Sequence, residues 1–123
     1  MATISPDNKI TIAMSVTDRA ATAAWFREHL GFEQIFAADE AGWTELSTNT
    51  PGVTIGLGDA EQVKPASTTP VFGVADFDAA HDALGKAGVK LDDKMVIEGM
   101  VKLVTLYDPD DNPLMIAQDL SGG

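Results

Sequence analysis

Two stretches of the sequence repeat one pattern about half a chain apart. The first is "VTDRAATAAWFREHLGF" (Val16–Phe32), and the second is "VADFDAAHDALGKAGV" (Val74–Val89). In each, Val-x-Asp ends an apolar run, a helix-like stretch follows, and a glycine closes it. The offset is 58 positions at the valines and 57 at the closing glycines. This near-constant offset indicates that one structural unit is duplicated within the 123 residues.

Each copy carries the signals of a capped helix. Asp18 and Asp76 precede the helical stretches, and their short carboxylates can accept hydrogen bonds from free first-turn N–H groups. Gly31 and Gly88 stand where a left-handed residue ends a helix. Helices are predicted over 18–30 and 76–87. In the second, one apolar stripe recurs at helical spacing: Phe77, Ala80, Leu84 and Ala87.

The remaining apolar segments alternate with period two, as half-buried strands do. Strands are predicted over 9–16, 32–38, 42–47, 53–57, 69–74, 91–97, 100–107 and 113–118. A polar segment with two prolines, Gly58–Pro70, separates the copies. We predict one α+β domain over 1–123, with a βαβββ module at 9–57, a linker at 58–68 and a second βαβββ module at 69–118.

The composition excludes several classes of protein. With 8 basic and 19 acidic residues the net charge is −11, which argues against nucleic acid and anionic membrane as partners. The sequence has no cysteine, so disulfides, thiolate nucleophiles and cysteine-ligated zinc are excluded. No apolar signal region and no stretch of membrane-spanning length is visible, which leads us to expect a soluble, cytoplasmic protein.

The two helix units and "YDPDDNPLMI" (Tyr107–Ile116) resemble the vicinal oxygen chelate superfamily, the group of glyoxalases, bleomycin-resistance proteins and extradiol dioxygenases. The last segment is similar to the family's Asp-Pro-Asp-Gly-Asn turn, with Asp111 in place of glycine. The resemblance implies paired βαβββ modules whose curled mixed sheets form a cavity, with the helices on the outer face. It also implies a homodimer, without deciding whether modules pair within one chain or between chains.

In metal-dependent members of this family, four strands each direct one ligand into the cavity. Local alignment with the family places those positions at Thr11, Gly56, Thr69 and Met115. Divalent transition metals require imidazole, carboxylate or thiolate donors, which these four residues do not supply. The resemblance therefore implies no metal and no cofactor, with Met115 as an adaptable apolar wall.

The two histidines do not restore a metal site. His29 lies near the end of the first helix, and His81 lies one position off the apolar stripe of the second. We interpret both as surface residues. Trp25 and Phe26, also on the first helix, are interpreted as core.

The cavity lining follows from strand alternation. If the Ile/Val faces pack on the helices, the opposite faces carry small, uncharged residues that leave room for a ligand: Thr11, Ala13, Ser15, Thr54, Gly56, Thr69, Val71, Gly73, Met115 and Ala117. In "GWTELST", Leu46 is expected in the core, which places Trp43 and Glu45 on the cavity side. A carboxylate beside an indole can hold a cation or an aromatic ring, although a solvated or ion-paired Glu45 is an equal alternative.

Three functions remain open at this point. The first is a metal-free protein that sequesters a small, cationic or aromatic compound through Thr11, Trp43, Glu45, Gly56, Thr69 and Met115. The second is a metal-independent lyase, isomerase or hydrolase with Glu45 as general base. The third, a metal-dependent glyoxalase or dioxygenase, is disfavoured because both histidines lie on helices. A structural role without a ligand is a further alternative, and the sequence does not identify the ligand.

Overall fold

The computed structural model describes residues 7–63 and 69–121. The chain divides into two compact units, Met1–Val63 and Lys64–Gly123. The division lies inside the predicted linker, of which residues 64–68 are outside the described part. Strand β4 continues through residues 58 and 59, two positions beyond its predicted end at residue 57.

The first unit has a four-stranded mixed sheet and one long helix. Its elements are β1 (Ile10–Val16), α1 (Arg19–Leu30), β2 (Gln34–Ala38), a 3-10 turn (Asp39–Ala41), β3 (Trp43–Ser47) and β4 (Val53–Asp59). The strand order is β1-β4-β3-β2, with β1 parallel to β4 and the other pairs antiparallel. The predicted cap is present, because the Asp18 carboxylate accepts a hydrogen bond from Ala21 N at 3.0 Å.

The second unit repeats this plan. It contains β5 (Val71–Gly73), α2 (Phe77–Lys86), β6 (Lys90–Leu91), β7 (Met95–Ile97), β8 (Val101–Tyr107) and β9 (Pro113–Asp119). The strand order is β5-β9-β8-β6, and β7 also pairs with β8. Asp76 caps α2 by accepting from Ala79 N at 3.1 Å. The predicted α+β class and its two βαβββ modules are confirmed.

Each helix covers one face of its own sheet and encloses a core there. Helix α1 packs on β3 and β4, and α2 packs on β8 and β9. In the first unit the core residues are Val16, Phe26, Phe32, Leu46, Ile55 and Leu57. In the second they are Phe77, Leu84, Val89, Val104, Leu106, Leu114 and Ile116. The predicted core positions of Phe26, Phe77 and Leu46 are confirmed, whereas Trp25 is only half-buried.

One predicted strand is wrong as a continuous element. The segment 91–97 is two short strands, interrupted at the charged residues Asp92, Asp93 and Lys94. Asp92 still donates from its backbone N to Thr105 O of β8 at 3.0 Å, and its carboxylate accepts a hydrogen bond from the Tyr107 hydroxyl at 2.6 Å. The three residues of β7 beyond this break are all exposed.

The acidic turn before β9 is built around one buried carboxylate. Asp108 accepts hydrogen bonds from Asp110 N at 2.9 Å, from Asn112 N at 2.8 Å and from Asn112 Nδ2 at 3.0 Å. Burial raises the pKa of Asp108, and these donors oppose that rise. Asp111 has φ +63°, the left-handed conformation that glycine supplies in the similar family turn and that aspartate tolerates. The turn fixes where β9, and therefore Met115, pairs with its neighbours.

Candidate functional site

The face of the first sheet opposite α1 carries the polar and aromatic side chains predicted for a cavity wall. Along β3, Leu46 and Thr44 are buried towards α1, whereas Trp43 and Glu45 are half-buried on the other side. Glu45 pairs with Gly56 of β4, and Thr11 of β1 pairs with Thr54 of β4. We call this surface the open face and define it by five residues: Thr11, Trp43, Glu45, Thr54 and Gly56.

The Trp43 indole lies along β4 and is bonded to Glu45. Its Nε1–H donates to Glu45 Oε1 at 3.1 Å. A Cβ placed on Gly56 would overlap the Cζ2 and Cη2 atoms of the ring, and one on Gly58 would lie 3.6 Å from Cζ3. The ring can therefore rest on β4 only because Gly56 has no side chain. The indole and the carboxylate form one preassembled unit.

This packing corrects the interpretation of Gly56 as free cavity space. Its missing side chain does leave room, but the Trp43 ring fills that room, and Gly56 is itself buried. The signal was present in the sequence as two glycines with the same parity on one strand, Gly56 and Gly58. Strand alternation alone did not reveal that a side chain from the neighbouring strand would cover them.

A groove of about 540 Å³ runs beside this unit, along the open face. Glu45, Thr11 and Thr54 line it, together with Lys9 and the loop residues 48–52. The Thr11 and Thr54 hydroxyls are 2.9 Å apart, so one donates to the other. A hydroxyl pair in which only one proton is used can still donate and accept one further hydrogen bond. The groove thus presents a carboxylate at one point and a hydroxyl pair at another.

Arg19 is a structural contributor that the sequence analysis missed. At the first turn of α1 it donates from Nε to Asp59 Oδ1 at 2.8 Å. Its Nη1 donates to Trp43 O at 3.1 Å and to Thr44 Oγ1 at 2.9 Å. The hydrogen bond to Asp59 raises the pKa of Arg19 above its usual value, while partial burial opposes that rise. No local sequence pattern predicts these hydrogen bonds, because the three partners of Arg19 lie 24 to 40 residues further along the chain.

Thr69 and Met115, the two predicted contacts of the second unit, lie at and beside strand β5. Thr69 precedes this strand, and Met115 N donates to Pro70 O at 2.8 Å. Met115 pairs with Val71 of β5 and Thr105 of β8. Its neighbours in sequence, Leu114 and Ile116, are buried towards α2, so Met115 lies on the face of this sheet opposite α2. Their role in ligand binding stays a prediction.

The histidines are less exposed than predicted. The His29 side chain is only 12% exposed and its ring lies 5.3 Å from that of Trp25. His81 is half-buried and stacks on Phe77 at 5.6 Å. Both imidazoles pack on aromatic rings rather than standing in solvent. Within residues 7–63 and 69–121, no three His, Cys, Asp or Glu side chains converge to hold a metal ion.

Comparisons with known proteins agree on the fold. Residues 10–116 match the sequence model of the Glyoxalase/Bleomycin resistance protein/Dioxygenase superfamily. No curated protein matches the sequence significantly. In the described part of the chain, no helix is long and apolar enough to cross a membrane.

Three solved structures illustrate the structural likeness. A glyoxalase family protein from Bacillus anthracis is 18% identical, with coverage of 97% of this chain and 99% of that one and a TM-score of 0.79. TnmS3, an antibiotic binding protein from Streptomyces sp. CB03234, is 20% identical, with 97% and 99% covered and a TM-score of 0.78. A mutant of the fosfomycin resistance protein FosX from Listeria monocytogenes, complexed with Mn(II) and a dihydroxypropylphosphonic acid, is 14% identical, with 94% of each chain covered and a TM-score of 0.79. At these identities the likeness establishes the fold alone.

Proposed function

Because this chain belongs to the glyoxalase/bleomycin resistance protein/dioxygenase superfamily, we propose that it binds and sequesters a small cationic or aromatic molecule without a metal. The observation that carries the proposal is the Trp43–Glu45 pair on the open face. The indole N–H holds one oxygen of the carboxylate, and Glu45 borders a groove large enough for a small ligand.

The chemistry of this pair selects the ligand class. One carboxylate oxygen is committed to the indole N–H, so the other is the acceptor offered to a ligand cation or N–H donor. The indole supplies a π-surface on which a planar or cationic group can stack. The hydroxyls of Thr11 and Thr54 add a donor and an acceptor for a neutral polar group. The net charge of −11 favours cationic ligands over anionic ones at long range.

The structural neighbours support two contrasting modes of action. TnmS3 is described as an antibiotic binding protein, which is the mode proposed here. The FosX mutant holds Mn(II) and a phosphonic acid. The inward positions inferred for this chain are Thr11, Gly56, Thr69 and Met115, and none is a good ligand for a divalent metal.

We expect no stoichiometric binding of a transition metal. Without imidazole, carboxylate or thiolate donors at the four inward positions, nickel, zinc or iron would find no donor set there. Calorimetric titration and elemental analysis of the purified protein measure this directly. A one-to-one complex that survives replacement of both His29 and His81 would contradict it and would place ligands at positions other than those inferred.

The binding function is tested by a thermal-shift screen of cationic and aromatic natural products, followed by calorimetry on each hit. A ligand bound at one site per chain and recovered unchanged is the expected result. If the ligand is instead converted to a product and Glu45→Gln abolishes turnover, the protein is the metal-independent enzyme, with Glu45 as its general base.

We further propose that the protein is a homodimer. Several large apolar side chains are exposed, among them Ile35 and Phe36 of β2 and Met95 and Met100 of the second unit. Association of two copies would remove such side chains from water, and two-fold dimers are the commonest assemblies. Light scattering at micromolar concentration should give twice the 13.0 kDa chain mass. A mass of one chain would contradict the dimer.

A further inference from the structure

We propose that Arg19 is a positioning residue for the Trp43 indole. It does not line the groove described above, and it acts through the backbone that presents Trp43. The effect of Arg19 on ligand affinity rests on the proposed binding function. The effect of Arg19 on the position of the indole does not depend on that function. A residue of α1 thus helps to position a side chain of the open face.

The Arg19 guanidinium ties the start of β3 to the end of β4. From one side chain it reaches Trp43 O, Thr44 Oγ1 and Asp59 Oδ1 at 3.1, 2.9 and 2.8 Å. It also reaches Asp39 Oδ1 in the 3-10 turn at 3.2 Å. The Arg19 side chain is 15% exposed, so these bonds are partly shielded from water. Arg19 therefore fixes both flanks of the turn that leads into Trp43.

A second set of contacts closes the same turn. Gly42, immediately before Trp43, has φ +63°, which favours glycine. A Cβ on Gly42 would lie 2.9 Å from Asp59 Oδ2, and Asp59 N donates to Gly42 O at 2.9 Å. Asp59 thus packs against the turn while it accepts from Arg19. Loss of the Arg19–Asp59 bond would loosen the turn from the side of β4.

The indole is sensitive to small movements of this backbone. The ring contacts β4 at Gly56, where not even a methyl group fits, and its N–H must stay within hydrogen-bond distance of Glu45. Hydrogen bonds weaken steeply once their angle departs from linearity. A displacement of the Trp43 backbone rotates the ring about its Cβ and lifts its far edge. Arg19 holds that backbone at the carbonyl of Trp43 itself.

The experiment measures the fluorescence of Trp43 in the absence of a ligand. In a Trp25→Phe background Trp43 is the only tryptophan, and in a Trp43→Phe background Trp25 is. Acrylamide quenching and the anisotropy decay of each tryptophan are measured for Arg19→Gln and for Asp59→Ala, which removes the acceptor of the Arg19 Nε–H. Lys102→Gln is the matched control, because it breaks an ion pair to Asp78 of similar length in the second unit.

We expect both variants to raise the quenching constant of Trp43 about two- to threefold, because each removes a hydrogen bond of the charged Arg19 side chain that holds the turn. The quenching constant of Trp25 should keep its parental value in both variants. In the Lys102→Gln control, the quenching constant of Trp43 should also be unchanged. Unchanged Trp43 quenching would overturn the proposal. An equal rise at Trp25 would also overturn it, because Arg19 would then only hold α1 on the sheet. If Arg19→Gln does not fold, the measurements on Asp59→Ala alone distinguish these outcomes.

Ligand affinity gives the second readout. For a ligand found in the screen, Arg19→Gln should weaken binding by about tenfold, equivalent to about 1.4 kcal/mol, because the displaced indole presents less of its surface to the ligand. Failure of Glu45→Gln to weaken the same ligand would count against the proposed function but not against the positioning role. Parental affinity in Arg19→Gln would contradict the inferred link between Arg19 and binding.

Discussion

Replacing Glu45 by glutamine is expected to weaken a cationic ligand by about 10- to 100-fold, equivalent to roughly 1.4–2.7 kcal/mol. The change keeps the shape of the side chain and its acceptor for the Trp43 N–H, and it removes the charge. A hydrogen bond to a charged group contributes about 1.5–3 kcal/mol when it is partly shielded from water, which sets the size of the effect. Calorimetry on parent and variant measures it.

Glu28→Gln is the matched control for this charge change. Glu28 lies on α1 in the same unit, its side chain is 76% exposed, and it does not line the groove. Any loss of affinity caused only by the lower overall negative charge appears in both variants. Equal affinities of the parent and Glu45→Gln for a cationic ligand would show that the ligand binds elsewhere.

The second large effect concerns the fit between Trp43 and Gly56. Gly56→Ala is expected to lower the free energy of unfolding by about 1–3 kcal/mol, because the added methyl group overlaps the indole and forces the ring off β4. The displaced ring also loses its hydrogen bond to Glu45. In a Trp43→Ala background the overlap is absent, and the same substitution should be nearly neutral. Urea unfolding of the four proteins of this double-mutant cycle gives the coupling.

Gly73→Ala supplies the control for the glycine change itself. Gly73 is also in a strand, and a Cβ there would meet no atom within 4 Å. Replacing such a glycine is expected to leave the free energy of unfolding unchanged or to raise it slightly, through the unfolded chain. If Gly56→Ala were equally destabilising with and without Trp43, the ring would not rest on β4 as described.

The elements that the sequence predicted well are those set by local chemistry. The two Asp caps, the closing glycines and the period-two strands depend on residues a few positions apart, and the duplicated pattern supplied two copies of each signal. Strand parity alone placed Trp43 and Glu45 on one face, opposite the buried Leu46. The break within 91–97 was missed, although it falls at three consecutive charged residues, Asp92, Asp93 and Lys94.

The features of the candidate site that were not predicted from the sequence have a common physical cause. Arg19 and Asp59 are 40 residues apart, and Trp43 covers a glycine on a different strand. Such contacts depend on the register between strands and on side-chain rotamers, which alternation does not specify. The sequence therefore identified the carboxylate and the indole but not the arginine that holds their backbone or the glycine that seats the ring.

The central claim is that the open face of the first sheet binds a small molecule through Trp43 and Glu45. Its most direct test is a titration of ¹⁵N-labelled protein with a ligand from the screen, followed by the two tryptophan Nε1–H resonances. The Trp43 resonance should shift progressively to saturation, because its N–H donates to the carboxylate that the ligand engages. The Trp25 resonance, from helix α1, should stay in place. A saturating ligand that leaves the Trp43 resonance unmoved would contradict the account.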